Sequence, residues 1–166
     1  MSAKQFEVRP AVEFDSDGIA EAHMASIRSL GAKAYDPEIV NDWGTPRTGD
    51  RYTRAMEKGE IFFVAVEHEL GKDERILGFS SYRFEDGKHR TAVYVRGDVG
   101  RTGVGTALFT AAASAARQHG AEEICVDASL AAVAFYKANG FKELGTGEHE
   151  LKSGRRMACV FMRKHL

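Results

Sequence analysis

Residues 92–108 read AVYVRGDVGRTGVGTAL, and this stretch carries the strongest structural signal in the chain. A β-branched and aromatic run ends at Val95, glycines recur from Gly97 to Gly105, and an alanine-rich helical pattern begins at Thr106. Glycine lets a ligand approach the backbone closely, and free N–H groups at a helix N-terminus attract anions. The pattern is therefore typical of a strand-to-helix turn that either binds a phosphate group or is merely tight.

Two common phosphate motifs do not fit this turn. Gly100 and Gly105 have the spacing of a P-loop, but Thr106 stands where the motif requires lysine. A dinucleotide-binding fingerprint would need a small residue at Leu108, and its turn normally follows the first strand rather than one past the middle of the chain. Both motifs are excluded.

The segments on either side of the turn predict an α/β (α+β) fold around one twisted sheet, forming a single domain over residues 1–166. Apolar periodicity and turn residues predict strand 5–10, helices 16–30, 37–43 and 48–58, strands 61–67, 75–84 and 91–96, helix 106–119, strand 123–127, helix 129–139, and strands 141–145 and 155–163.

Composition excludes several classes of protein. The formal net charge of -1 argues against a dedicated nucleic-acid binder. No apolar run approaches the roughly 20 residues that span a membrane, and the start of the chain lacks a signal-peptide core, so a cytoplasmic protein is expected. The six histidines and two cysteines lack metal-ligand spacing, so no metal site is predicted.

Two segments resemble one family. The turn from Gly100 to Gly105 after its strand resembles motif A of the GCN5-related N-acetyltransferases, although that family usually has Arg or Gln where Gly100 stands, and here Arg101 comes one place later. Residues 129–141, SLAAVAFYKANGF, are similar to the family's Ala-x-x-Phe-Tyr-x-x-x-Gly-Phe segment. Residues 8–11 and 160–164 also resemble the opening and ending segments of family members, so the resemblance covers nearly the whole chain.

The resemblance implies a mostly antiparallel sheet of six to seven strands, flanked by helices and splayed at its central strands. It also implies acetyl-CoA as cosubstrate, with a backbone amide near Val95 facing the thioester carbonyl. The implied cofactor-binding residues are Tyr94, Val95, Gly100, Arg101, Thr102, Gly103, Val104, Gly105 and Thr106.

The resemblance places Tyr136 as the general acid that protonates the leaving CoA sulfur. The alternative is that the Phe135-Tyr136 pair simply packs a helix onto the sheet. Two candidates for the general base follow from the residues themselves: Glu67 at the end of a strand, and His149 beside a Gly145-Thr146-Gly147 loop. Glu67 could equally be a solvated strand-end carboxylate.

The leading hypothesis is an acetyl-CoA-dependent N-acetyltransferase that acts on a primary amine of a small molecule or protein, by direct attack in a ternary complex. The alternatives are an acyltransferase with another donor or an O-acceptor, and a non-catalytic acyl-CoA sensor. Acceptor selection is expected on the early helices, and the resembled family often forms homodimers. The candidate pocket residues are Arg28, Tyr35, Trp43 and Tyr52.

Overall fold

A computed structural model describes residues 5–100 and 102–166, which form a seven-stranded sheet with helices on both faces. The strands are β1 (Phe6–Pro10), β2 (Ile61–Glu67), β3 (Arg75–Glu85), β4 (Lys88–Val95), β5 (Glu123–Ser129), β6 (Lys142–Glu150) and β7 (Arg156–His165). The α-helices are α1 (Ser16–Leu30), α2 (Pro37–Trp43), α3 (Asp50–Glu57), α4 (Val104–Gln118) and α5 (Val133–Ala138). No helix in these two ranges is long and apolar enough to cross a membrane.

The sheet consists of two antiparallel halves that meet at one parallel contact. Its strand order is β1-β2-β3-β4-β5-β7-β6, and every neighbouring pair is antiparallel except β4 and β5. These two strands pair only at Arg90 and Cys125, so they diverge towards Val95. The predicted fold class, including the splay at the central strands, is confirmed.

Alternating side chains give the sheet two buried faces. Helix α4 covers one face, where Leu108 packs with Leu77 and Val93. Helices α1 and α3 cover the other face, where Ile19 and Tyr52 pack with the β-strand aromatics. Because successive residues of a strand point to opposite faces, Val93 and Val95 point towards α4 whereas Tyr94 points towards α1.

Two predicted boundaries near the C-terminus are wrong. The helix expected over 129–139 spans only Val133–Ala138, because Ser129 still pairs with Cys159 as the last residue of β5. The strand expected over 141–145 continues to Glu150 and takes in His149, which was expected beside a loop. A register shift at Gly145 allows the chain to stay in the ladder, so glycines that indicated a loop lie in a strand.

Candidate active site

The N-terminus of helix α4 presents free backbone donors. Gly103 is the N-cap residue with a φ of 84°, a left-handed conformation that favours glycine, and no side chain caps the helix. The N–H of Ala107 donates to the Gly103 carbonyl at 3.0 Å, so the amides of Val104, Gly105 and Thr106 precede the first intrahelical bond. These donors, together with the helix dipole, make this turn suited to an anion.

The glycine turn is held from two sides. The Thr102 hydroxyl donates to the Val99 carbonyl at 2.7 Å, which closes the turn before the helix. On the other side, a Cβ at Gly105 would lie only 2.8 Å from the Phe135 ring, so α5 packs directly against the first turn of α4. The φ of Gly100 is -60°, a conformation that any residue type can adopt. Arg101 lies outside the described residues.

Strand β4 turns every second amide into the gap that the splay opens. The Arg96 N–H donates to the Leu77 carbonyl at 2.9 Å, so the backbone groups of Arg96 point towards β3. Because hydrogen-bonding direction alternates along an antiparallel strand, those of Tyr94 also point towards β3. The N–H groups of Val93 and Val95 therefore face β5. Since β5 has already diverged at this height, the Val95 N–H faces the open gap.

Tyr136 reaches this gap from helix α5. Its hydroxyl oxygen accepts a hydrogen bond from the Val93 N–H at 3.1 Å, and only 2% of the residue is exposed. Burial raises the pKa of the Tyr136 hydroxyl well above its ordinary value. The hydroxyl therefore stays protonated around neutral pH, and because its oxygen is the acceptor from Val93, its own hydrogen remains available for donation.

These groups line one cleft, with a volume of about 1370 Å³, that runs between β4 and β5 and reaches both faces of the sheet. The predicted site residues in its lining are Tyr94, Val95, Gly100, Gly103, Gly105, Thr106 and Tyr136. Val104 is buried beneath the first turn of α4, and Thr102 lies in the turn just before it.

The structure does not bring Glu67 to this cleft. Its carboxylate lies 3.9 Å from Arg75, and Arg75 also contacts Asp98 at 2.7 Å in the turn before the glycines. Glu67 thus belongs to a chain of charges that links the end of β2 to that turn. His149, by contrast, is an exposed residue of the cleft lining.

Of the four residues predicted to select the acceptor, two line the cleft and two do not. Trp43 and Tyr52 line the cleft. Tyr35 does not; it is buried, and its hydroxyl donates to the Ala158 carbonyl at 2.6 Å and accepts from the Leu130 N–H at 2.8 Å. Arg28 is exposed on α1, away from the cleft lining.

Sequence reasoning missed His23, which lines the cleft from α1 and is 7% exposed. Its Nδ1 lies 2.7 Å from the Tyr52 hydroxyl, and its ring lies 4.1 Å from the Tyr94 ring. Burial, followed by the charges of Arg47 and Arg51, lowers the pKa of His23 well below its ordinary value, so the ring is neutral at pH 7. A signal was present, because His23 stands four residues from both Ile19 and Ile27 in the apolar stripe of the helix.

Arg47 and Arg51 were also missed, and both line the cleft beside Tyr52. In the sequence, two arginines four residues apart at the start of a polar helix are typical of a face exposed to solvent. No group of three or more metal-ligating side chains converges within residues 5–100 and 102–166.

The family of the chain follows from a direct match. A family model described as acetyltransferase (GNAT) domain matches residues 31–165, and the chain belongs to this family. The match includes the glycine turn, β4 and Tyr136. No protein of curated function matches the sequence significantly.

Solved structures share the fold over almost the whole chain. A protein described as a GCN5-related N-acetyltransferase, class-II aminotransferase, from Rhodopseudomonas palustris is 26% identical with a TM-score of 0.82, covering 100% of this chain and 99% of its own. A PaiA N-acetyltransferase from Thermoplasma acidophilum in complex with coenzyme A is 17% identical with a TM-score of 0.73, covering 98% and 99%. A phosphinothricin acetyltransferase from Sinorhizobium meliloti in complex with acetyl-CoA is 20% identical with a TM-score of 0.71, covering 97% and 88%.

Proposed function

We propose that the protein transfers the acetyl group of acetyl-CoA to a primary amine, by direct attack of the amine in a ternary complex. The observation that carries the proposal is the hydrogen bond from the Val93 N–H to the Tyr136 hydroxyl across the gap between β4 and β5. This bond brings the protonated phenol to the gap that the Val95 N–H also faces, and the cleft extends from there to the N-terminus of α4.

Three sets of groups in the chain match three requirements of the reaction: binding the cosubstrate, stabilising the carbonyl oxygen and protonating the leaving thiolate. The free amides from Val104 to Thr106 would hold the pyrophosphate of the cosubstrate, which supplies the activated thioester. The Val95 N–H would stabilise the negative charge on the carbonyl oxygen as the amine attacks. The Tyr136 hydroxyl would donate its proton to the departing thiolate.

The amine must also lose a proton before it attacks. Glu67 lies outside the cleft, so we assign it no contact with the acceptor. Two imidazoles do line the cleft, the buried His23 and the exposed His149. The dependence of kcat/KM on pH in the His23→Gln and His149→Gln variants would show which of them accepts the proton, because the acidic limb of the profile reports the pKa of the base.

Calorimetric titration with CoA and acetyl-CoA, followed by thiol release on a panel of amines, tests the proposal. We expect both ligands to bind and at least one amine to release CoA. Absence of CoA binding would contradict the proposal. Binding without thiol release on any amine would favour an acyl-CoA sensor, and release with a longer acyl donor or an alcohol would favour the other acyltransferases.

The Tyr136→Phe variant tests the chemical step. We expect kcat to fall by about 100-fold, the lower end of general acid catalysis, with CoA affinity little changed. Loss of the hydroxyl also leaves the Val93 N–H without its partner, which costs about 1–3 kcal/mol of stability. The matched control is Tyr35→Phe, which removes a buried hydroxyl that is bonded to Leu130 outside the cleft. It should lose similar stability and keep its kcat, and an equal loss of kcat in both variants would refute the catalytic role of Tyr136.

A further inference from the structure

Two arginines in the cleft have no acidic partner among the residues that the structure describes. No carboxylate of residues 5–100 or 102–166 lies within 4.0 Å of the Arg47 or Arg51 guanidinium, although both side chains line the cleft. The neighbouring Arg83 differs, because it pairs with Glu60 at 3.5 Å and with Glu85 at 3.2 Å. The wall beside Tyr52 therefore carries positive charge that the described part of the chain does not neutralise.

Arg47 is held in place rather than free in solvent. It is half-buried, and it donates to the Trp43 carbonyl at 3.0 Å. Burial and then the like charge of Arg51 lower the pKa of Arg47, so this position disfavours its charged form. An anion bound between the two guanidinium groups would offset both the cost of burying the Arg47 charge and its repulsion by Arg51.

His23 supplies an independent sign of a ligand at the same wall. Its Nε2 is buried and has no hydrogen-bond partner, whereas its Nδ1 is occupied by Tyr52. A buried polar nitrogen without a partner is costly, and a bound molecule in the cleft would give it one. Arg47 Nη1 lies 3.8 Å from the sulfur of Met24, which follows His23 in α1, and Arg51 precedes Tyr52, the partner of His23, in α3. All three groups line the same cleft.

This part of the cleft is separate from the glycine turn. Tyr52 packs on the sheet face that α1 and α3 cover, whereas Val104 at the start of α4 packs on the opposite face. The gap between β4 and β5 connects the two faces. An anion at the arginines would therefore lie on the opposite side of the gap from the pyrophosphate that the α4 N-terminus would hold.

We propose that the acceptor is a small primary amine that carries a carboxylate, bound by Arg47 and Arg51, with His23 Nε2 hydrogen-bonded to the same molecule. This inference rests on the proposed function and names the substrate class of its site. The planar guanidinium fork matches the two oxygens of a carboxylate. A half-buried arginine inside the cleft favours a small molecule over a protein side chain.

The first test compares acceptors that differ only in the carboxylate. Thiol release is measured for ω-amino acids and for alkylamines of the same chain length, and for α-amino acids and their carboxamides. We expect kcat/KM to be about 10- to 100-fold higher for the best carboxylate-bearing amine than for its neutral counterpart, as for hydrogen bonds to charged groups. Equal values for both, or faster turnover of a peptide N-terminus than of any free amino acid, would overturn the proposal.

The second test uses Arg47→Gln, Arg51→Gln and the control Arg117→Gln, which removes the same charge from the exposed end of α4 outside the cleft. We expect both cleft variants to lower kcat/KM for the carboxylate-bearing amine by about 10-fold or more and to leave its neutral counterpart unchanged. The control should change neither. Arg51 is exposed, so Arg51→Gln gives a reading even if Arg47→Gln folds poorly.

Calorimetry of the best amino acid into the CoA complex gives a readout besides turnover. Binding that weakens in Arg51→Gln but persists in Arg117→Gln supports the proposal, and equal binding in both refutes it. If no amine releases thiol, the proposed function fails; if neutral amines are turned over as well as acidic ones, only the substrate class fails.

Discussion

His23 occupies a helix position where the pattern of α1 requires an apolar side chain. Its ring packs against Phe79 and Tyr94, and its neutral form satisfies one nitrogen through Tyr52. Burial is the main reason that the pKa of His23 lies below its ordinary value. The residue therefore couples the stability of the protein to pH as well as facing the cleft.

The sign of this coupling can be measured. The unfolded chain protonates His23 near pH 6.5, whereas the folded protein resists protonation until a lower pH, so the free energy of unfolding should fall as the pH drops below about 6.5. The slope from this one group is at most about 1.4 kcal/mol per pH unit. Urea unfolding between pH 7.5 and pH 5 should show it in the wild type.

The His23→Gln variant should lose this part of the slope, and the exposed His149→Gln variant should keep it. The carboxylate of Asp15, paired with Arg9 at 2.7 Å, acts in a different range. Its lowered pKa means that its contribution is present above about pH 4 and is lost only in stronger acid. An unchanged slope in His23→Gln would show that the ring does not titrate as inferred.

At the scale of elements, the sequence signals were sufficient where one period dominates. The apolar, β-branched and aromatic run of β2 and the apolar stripe of α1 predicted both elements within a residue or two of their observed bounds. They were insufficient for β6, because Gly145 and Gly147 indicate a loop unless a partner strand is known. That partner is β7, the next strand of the chain, whose pairing with β6 begins at Glu150 and Arg156 and continues past both glycines. The glycines themselves do not show whether the chain pairs or forms a loop, because strand preference depends on the neighbouring strand.

Glu67 shows the same limit for a catalytic assignment. A carboxylate at a strand end is a reasonable candidate base in the sequence. In the structure, however, the Glu67 carboxylate lies 3.9 Å from the Arg75 guanidinium and does not line the cleft. We expect Glu67→Gln to change kcat by less than about 3-fold and the stability by about 1 kcal/mol or less, since ion pairs near the surface contribute little. Thiol release and thermal unfolding check both. A 100-fold loss of kcat without loss of CoA affinity would instead support Glu67 as the general base.

At the scale of the whole molecule, the cleft is a gap between two antiparallel halves of one sheet. The motif at residues 100–105 and the segment at 129–141 were enough to predict the fold and one end of the cleft. The other end could not be predicted, because His23, Arg47 and Arg51 come together only when α1 and α3 pack on the same face. Packing between distant segments follows from the tertiary fold and from no short motif.

Because only the Arg90–Cys125 pair joins β4 to β5, ligand binding should tighten the centre of the sheet. We expect CoA to slow hydrogen exchange at the amides of Val95 and of residues 103–106, and to leave β1 and β6 unchanged. At 100 times its dissociation constant, CoA should also stabilise the fold by about 2.7 kcal/mol. Exchange measured with and without CoA checks this, and uniform protection of all strands would contradict the local effect.

The Val93–Tyr136 hydrogen bond also has a consequence for synthesis on the ribosome. The chain emerges from its N-terminus, so β4 and the glycine turn are made before the residue that spans the gap. A nascent chain that ends before Tyr136 can contain the glycine turn while the Val93 N–H still lacks its partner. The gap between β4 and β5 is therefore bridged late in translation, and a chain truncated before α5 would carry the glycine turn without the second wall of the cleft.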